Sequence, residues 1–212
     1  MRNDCSSEII GGAGILVKGE MKMVSVQENL ISRRSIYRFE NTPVQRDCLE
    51  RAFEAARHAP CHKQTHPWRF YVLGKQARAR IVDVVENLSR EKSMRLGEID
   101  VEKMVEKARS KILAPPRLIA VTTVRTIGDS VRDEEDYAAT VCALHNMVLS
   151  LWDQGIGCQW STGSITRDPA VYSMLEVQES EQRVIGFLKV GYPAVIPERE
   201  KKAMDGIRFY LD

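Results

Sequence analysis

Long apolar runs are missing from this chain. No stretch approaches the roughly 20 residues that a membrane-spanning helix needs, and the first 22 residues hold no apolar run of signal-peptide length. Net charge is also nearly absent: 31 Lys and Arg against 29 Asp and Glu leave +2, too little to favour nucleic acid as a partner. The five cysteines (Cys5, Cys48, Cys61, Cys142 and Cys158) are odd in number and lack paired spacing. That argues against a disulfide framework and for a reducing, cytoplasmic setting. Gly11, Gly12 and Gly14 lack the preceding strand and full spacing of a dinucleotide loop. Residues 1–22 are therefore expected to be a flexible N-terminal extension, with a single domain over 23–212. At 212 residues and 43% hydrophobic composition, that domain can bury a proper core.

What the chain does have is concentrated. Three of its four histidines (His58, His62 and His66), with Cys61 and Trp68, lie within 57–73. Pro60 ends a helix there, because proline has no N–H and restricts the residue before it. Phe70, Tyr71, Val72 and Leu73 then read as a strand. A polar loop between two rigid elements is a common place for a binding site. Upstream, Ser32, Arg33, Arg34, Ser35 and Arg38 form a dense group of donors suited to phosphate oxygens, or else a solvated basic surface.

Periodicity predicts helices over 25–33, 43–58, around 81–88 and over 168–175, and strands over 118–124, 158–162 and 184–190. The charged stretch 90–111 reads as a solvated helical excursion or lid. The acidic run 133–136 is expected to precede a helix over 137–154 whose apolar residues cover nearly every face. Such a helix is buried on all sides, within a core or across a subunit interface. Long helices between strands indicate an α+β or α/β domain.

Three segments together carry a family resemblance. Arg33, Arg34 and Ser35 are followed by Arg38, Phe39, Pro43 and Val44; His58, Ala59 and Pro60 run to Pro67 and Trp68. Gly155, Gly157, Trp160, Ser161, Thr162 and Gly163 are backed by Gly186, Gly191 and Pro193. In order and spacing the chain resembles the nitroreductase family of FMN-dependent oxidoreductases, in particular its small bacterial YdjA-like type. The resemblance implies an α+β fold with a mixed, largely antiparallel sheet, built as an intertwined homodimer with FMN at the subunit interface. It implies that Arg33, Arg34 and Ser35 hold the FMN phosphate and ribityl chain, and that Trp160, Ser161, Thr162 and Gly163 line the flavin. His58 and His62 would reach it from the partner subunit.

The flavin would carry the chemistry, taking electrons from NADH or NADPH and passing them to nitroaromatics or quinones, with no catalytic side chain and no metal. Cys61, Gln64 and His66 stand where family members often have other residues. Lys201 and Arg208 only loosely echo the basic tails of larger members and are left outside the candidate site. Other flavin reactions on the same fold (dehydrogenase, dehalogenase, or binding without turnover) remain alternatives, as does a Cys/His metal or thiol site from Cys61, His62, His66, Cys142 and His145.

Overall fold

The computed structural model describes residues 14–17, 20–23 and 25–211. Most of the extension expected over 1–22 lies outside these residues; within it, β1 (Gly14–Val17) pairs antiparallel with β2 (Glu20–Met23). Helix α1 (Val26–Ser32) follows, with a reciprocal capping box between Ser25 and Glu28. Then come α2 (Arg46–Arg57), β3 (Trp68–Val72), α3 (Lys75–Arg80), α4 (Val82–Leu96) and α5 (Val101–Leu113). The chain continues through β4 (Arg117–Val124), α6 (Ser130–Asp153), β5 (Gly157–Ser161), α7 (Pro169–Leu175) and β6 (Gln182–Gly191).

The sheet runs β3-β4-β6-β5 with every neighbour antiparallel. One parallel bridge, Ser35 to Cys158, adds a mixed pairing at the β5 edge. The fold is therefore α+β, as the resemblance implies. Side chains alternate across a strand, so Ile119 and Val121 of β4 enter one core while Leu118 and Ala120 enter another. The first core is closed by α2 and α6, through Leu49, Ala52, Ala143 and Met147. The second is closed by Ile81, Val82, Ile112, Val171 and Leu175. Helices on both faces explain why β4 reads as a continuous apolar run.

One expectation changes. The acidic run 133–136 does not precede its helix but lies inside it, because α6 begins at Ser130 with Asp129 as its cap. The run has local partners there: Asp133 Oδ1 accepts from the Thr126 N–H at 3.1 Å, and the buried Asp136 accepts from Thr65 Oγ1 at 2.6 Å. Within the single chain α6 is not covered all round. Ala139, Ala143, Leu144, Met147 and Leu151 are buried, whereas Cys142 and His145 on the other side stay exposed. The sheet and α2 supply only one covering surface.

The stretch 90–111 is two helices packed on each other, turned at Gly97 with φ 68°, a left-handed position that suits glycine. Ion pairs Arg90–Glu102 at 3.3 Å and Arg109–Glu86 at 3.2 Å lie along that packing.

Lys189 of β6 is 4% exposed, and its Nζ has one acceptor, Gln159 Oε1 at 3.1 Å. Burial, aided by the nearby Lys111, lowers its pKa to about 8. Between that value and the ordinary lysine range the unfolded chain binds the extra proton, so stability rises with pH through that window. Lys189→Met is expected to stabilise the fold at pH 7 by about 1–3 kcal/mol and to flatten that rise, as read from urea unfolding at pH 7 to 10.

Candidate functional site

Beyond the end of α1 the chain turns back along the sheet edge. The Ile36 N–H donates to the Cys158 carbonyl at 2.9 Å, fixing the Arg33–Ser35 run beside β5. Gly157 makes this approach possible, because the Ile36 side chain fills the space where a β-carbon would stand. Arg34 is largely spent locally: its Nη1 donates to the Ile31 carbonyl at 2.7 Å and to the Arg33 carbonyl at 3.0 Å, capping α1. The Arg33 guanidinium has no hydrogen-bond or ion-pair partner among the described residues and is free to meet an anion.

Two adjoining cavities share Arg33 and Ser35. The smaller, about 110 Å³, is cationic: Arg34, Arg199 and Lys201 join them, with Tyr37 and Pro197. The larger, about 280 Å³, is mostly apolar, lined by Val141, Leu144, His145, Val148, Cys158 and Trp160. Burial, and secondarily Arg33, lowers the pKa of His145 and favours its neutral form. Burial pushes the Cys158 thiol far up, so it serves as a packed apolar group rather than a nucleophile. The Trp160 indole lies over Gly186 where a side chain would clash, and its Nε1 donates to the Ile185 carbonyl at 3.2 Å.

A third cavity, about 690 Å³, opens where β5 ends, with Thr162 and Gly163 on its wall. Gly163 has φ 141°, a backbone conformation that favours glycine. The structure thus brings Arg33, Arg34, Ser35 and Trp160 together around the first two cavities and places Thr162 and Gly163 in the next. Ser161, His58 and His62 line none of the three.

The histidine loop is held separately. His58 Nε2 lies 3.0 Å from Glu54 and His62 Nδ1 lies 3.0 Å from Glu135. Arg57 and then His58 keep the Glu54 carboxyl below its usual range. Lys63, Gln64 and His66 all have positive φ, a concentration of strain that Thr65–Asp136 and the Arg132 donation to the His62 carbonyl at 3.3 Å hold in place. No group of three or more His, Cys, Asp or Glu side chains able to hold a metal forms among the described residues.

Sequence reasoning set the tail aside and missed the helix face. Lys201 and Arg199 complete the cationic cavity, yet they lie in a tail with no periodicity to mark them. Arg208 instead stacks over Tyr210 at 5.4 Å. Val141 and Val148 read only as part of an apolar helix, and His145 only as a candidate metal ligand beside Cys142.

Comparison with known proteins decides the family. Residues 30–192 match the Nitroreductase family. The chain belongs to the nitroreductase family. YfhC of Bacillus subtilis (strain 168), provisionally named an NAD(P)H nitroreductase, is 30% identical over 187 residues, covering 87% of this chain and 93% of that protein. YdjA of Escherichia coli (strain K12), named in the same provisional way, is 30% identical over 166 residues, covering 78% and 87%. Among solved structures, a nitroreductase-like family protein from Bacillus cereus aligns with TM-score 0.77 at 24% identity over 91% of this chain and 99% of that one. The FMN and NADPH-dependent nitroreductase NfnB from sphigopyxis sp. strain HMH aligns with TM-score 0.70 at 18% identity over 89% and 100%. The two structures support the fold; the family match and the relatives identify an oxidoreductase of the nitroreductase family.

Substituting Gly186→Ala forces Trp160 off its perch in this family member. The expected result is a loss of about 1–3 kcal/mol in urea unfolding, with a shift in tryptophan emission.

Proposed function

We propose that this nitroreductase-family protein is an FMN-dependent NAD(P)H oxidoreductase that serves nitroaromatic, quinone or similar acceptors by a ping-pong route, as a homodimer with FMN at the subunit interface. The observation that carries the proposal is the sharing of Arg33 and Ser35 between a cationic cavity and an apolar one. A phosphate monoester joined to a flat ring needs that pairing of surroundings. The donor set fits: Arg33, Ser35, Arg199 and Lys201, with the charge of the Arg34 guanidinium beside them, suit a doubly charged phosphate, while Val141, Leu144, Val148 and Trp160 suit a ring system. Gly163 keeps its side of the site open, since nothing stands within 4 Å of where its β-carbon would be. The chemistry that bound FMN supplies is two-electron transfer from NADH or NADPH to the acceptor. A nitro group taking two electrons and two protons leaves as nitroso and water; a quinone leaves as hydroquinone.

The residues of this chain bind, orient and shield. Arg33 and Ser35 anchor one end, Trp160 walls the middle, and the Trp160–Gly163 segment borders the ring. Several surfaces support a second copy. Ile31 of α1, Cys142 of α6, and Ile196, Phe209 and Leu211 of the tail are exposed, apolar surface that a second copy would cover. His58 and His62, which line none of these three cavities, would meet the flavin of the partner subunit. The N-terminal boundary at residue 23 is likewise part of the proposal.

Two measurements test this. Purified protein is expected to show flavin absorbance that bleaches under anaerobic NADPH or NADH and returns on adding a nitroaromatic or a quinone. A colourless protein that binds no added FMN would sink the proposal; flavin that stays oxidised would favour a non-turnover binder or another flavin reaction. Separately, Arg33→Ala is expected to weaken FMN binding by about tenfold or more, and Lys201→Ala by less, as read by flavin fluorescence titration.

A further inference from the structure

The apolar cavity and the cavity of about 690 Å³ are lined by successive turns of α6. Tyr137 lines the 690 Å³ cavity, and Val141, Leu144, His145 and Val148 line the apolar one, at helical spacing along one stripe of α6. Opposite them, Trp160 and Thr162 stand two residues apart at the end of β5. Taken in order along α6, the lining is cationic beside Arg33, apolar from Val148 to Val141, and carries arginine again at the far end beyond Tyr137.

That far end carries Arg125, Arg167 and Arg183 against one lining carboxylate, Glu179. Arg125 is the most committed of the three. Its Nε stands 3.6 Å from Asp133 Oδ1, its Nη1 donates to the Glu179 carbonyl at 3.5 Å, and the buried Nε has no hydrogen-bond partner. Arg183 lies over the Tyr137 ring, 4.8 Å from its centroid. Neither Arg183 nor Arg167 has a carboxylate within ion-pair distance among the described residues. Tyr137, Tyr172, Val184 and Ile185 supply apolar surface beside these cations. At about 690 Å³ the cavity is of the size that small aromatic ligands occupy.

We propose that this cavity takes the anionic end of the electron acceptor, so that carboxylate-bearing aromatic compounds are favoured over neutral ones of the same shape. The guanidinium forks of Arg167 and Arg183 receive the carboxylate, and the ring lies back toward Thr162, Gly163 and Trp160. Arginine suits this role because its planar donors match a carboxylate in two parallel hydrogen bonds. The proposal rests on the flavin assignment for the neighbouring cavity, which gives the ring its reason to point that way.

The test is calorimetric titration of the purified protein with 4-nitrobenzoate and with its uncharged methyl ester. The acid is expected to bind about tenfold more tightly, and R167Q/R183Q to bring the two within about twofold, with R183K intermediate. Both arginines are exposed, and circular dichroism establishes that the variants fold. Equal binding of acid and ester by the unmodified protein, or a preference that survives in the folded double variant, would overturn the proposal. The flavin assignment fails differently: protein that prefers the acid but holds no FMN refutes that assignment alone. Protein that bleaches with NADPH yet shows no charge preference refutes the anion cavity alone.

Discussion

The site depends on one backbone contact, the hydrogen bond from the Ile36 N–H to the Cys158 carbonyl at the open edge of the sheet. It is a single parallel bridge, and Gly157 is what lets Ile36 come close enough to make it. Through it, a basic run from the end of α1 is laid against the strand that carries Trp160. Without it, Arg33 and Ser35 would be surface groups on a loop, and the cationic and apolar cavities would not share a wall. Ile36 is fully buried, so the bridge sits under packed apolar cover and is shielded from competing water.

Charge is distributed among the cavities with some economy. Arg34 is used to cap α1 and Arg125 is engaged by Asp133, so the cations left to meet ligands are Arg33 with Arg199 and Lys201 at one end and Arg167 with Arg183 at the other. Between them the pKa directions agree with an apolar interior: His145 is held toward its neutral form and Cys158 toward its thiol. The open side of α6 lines the apolar cavity, and the tail lines the cationic one that shares Arg33 and Ser35 with it.

Much of the fold could be read from periodicity. The helix over 43–58, the uninterrupted apolar strand 118–124 and the proline-started helix after Asp168 all lie close to where they were expected. The start of α6 was misplaced because Ser130 to Asp136 is polar, and its cap, Asp129, looks like any acidic residue until the helix exists. The hairpin of α4 and α5 was obscured because its charged face outweighs the few buried residues, Val82, Ser93, Val105 and Ile112. At the site, Arg33, Ser35 and Trp160 were legible because each belongs to a motif with fixed spacing. Lys201 was visible only as a loose echo of a basic tail, and Arg125 and Arg183 not at all, because each becomes a neighbour only through the order β3-β4-β6-β5 and the return of the tail.

The most direct measurement is a crystal structure of the protein with FMN bound. The account predicts the phosphate within hydrogen-bond distance of Arg33 and Ser35, with the ring system bordered by Trp160 to Gly163 and closed over by a second copy of the chain. FMN bound elsewhere, or a phosphate that does not touch Arg33, would contradict it.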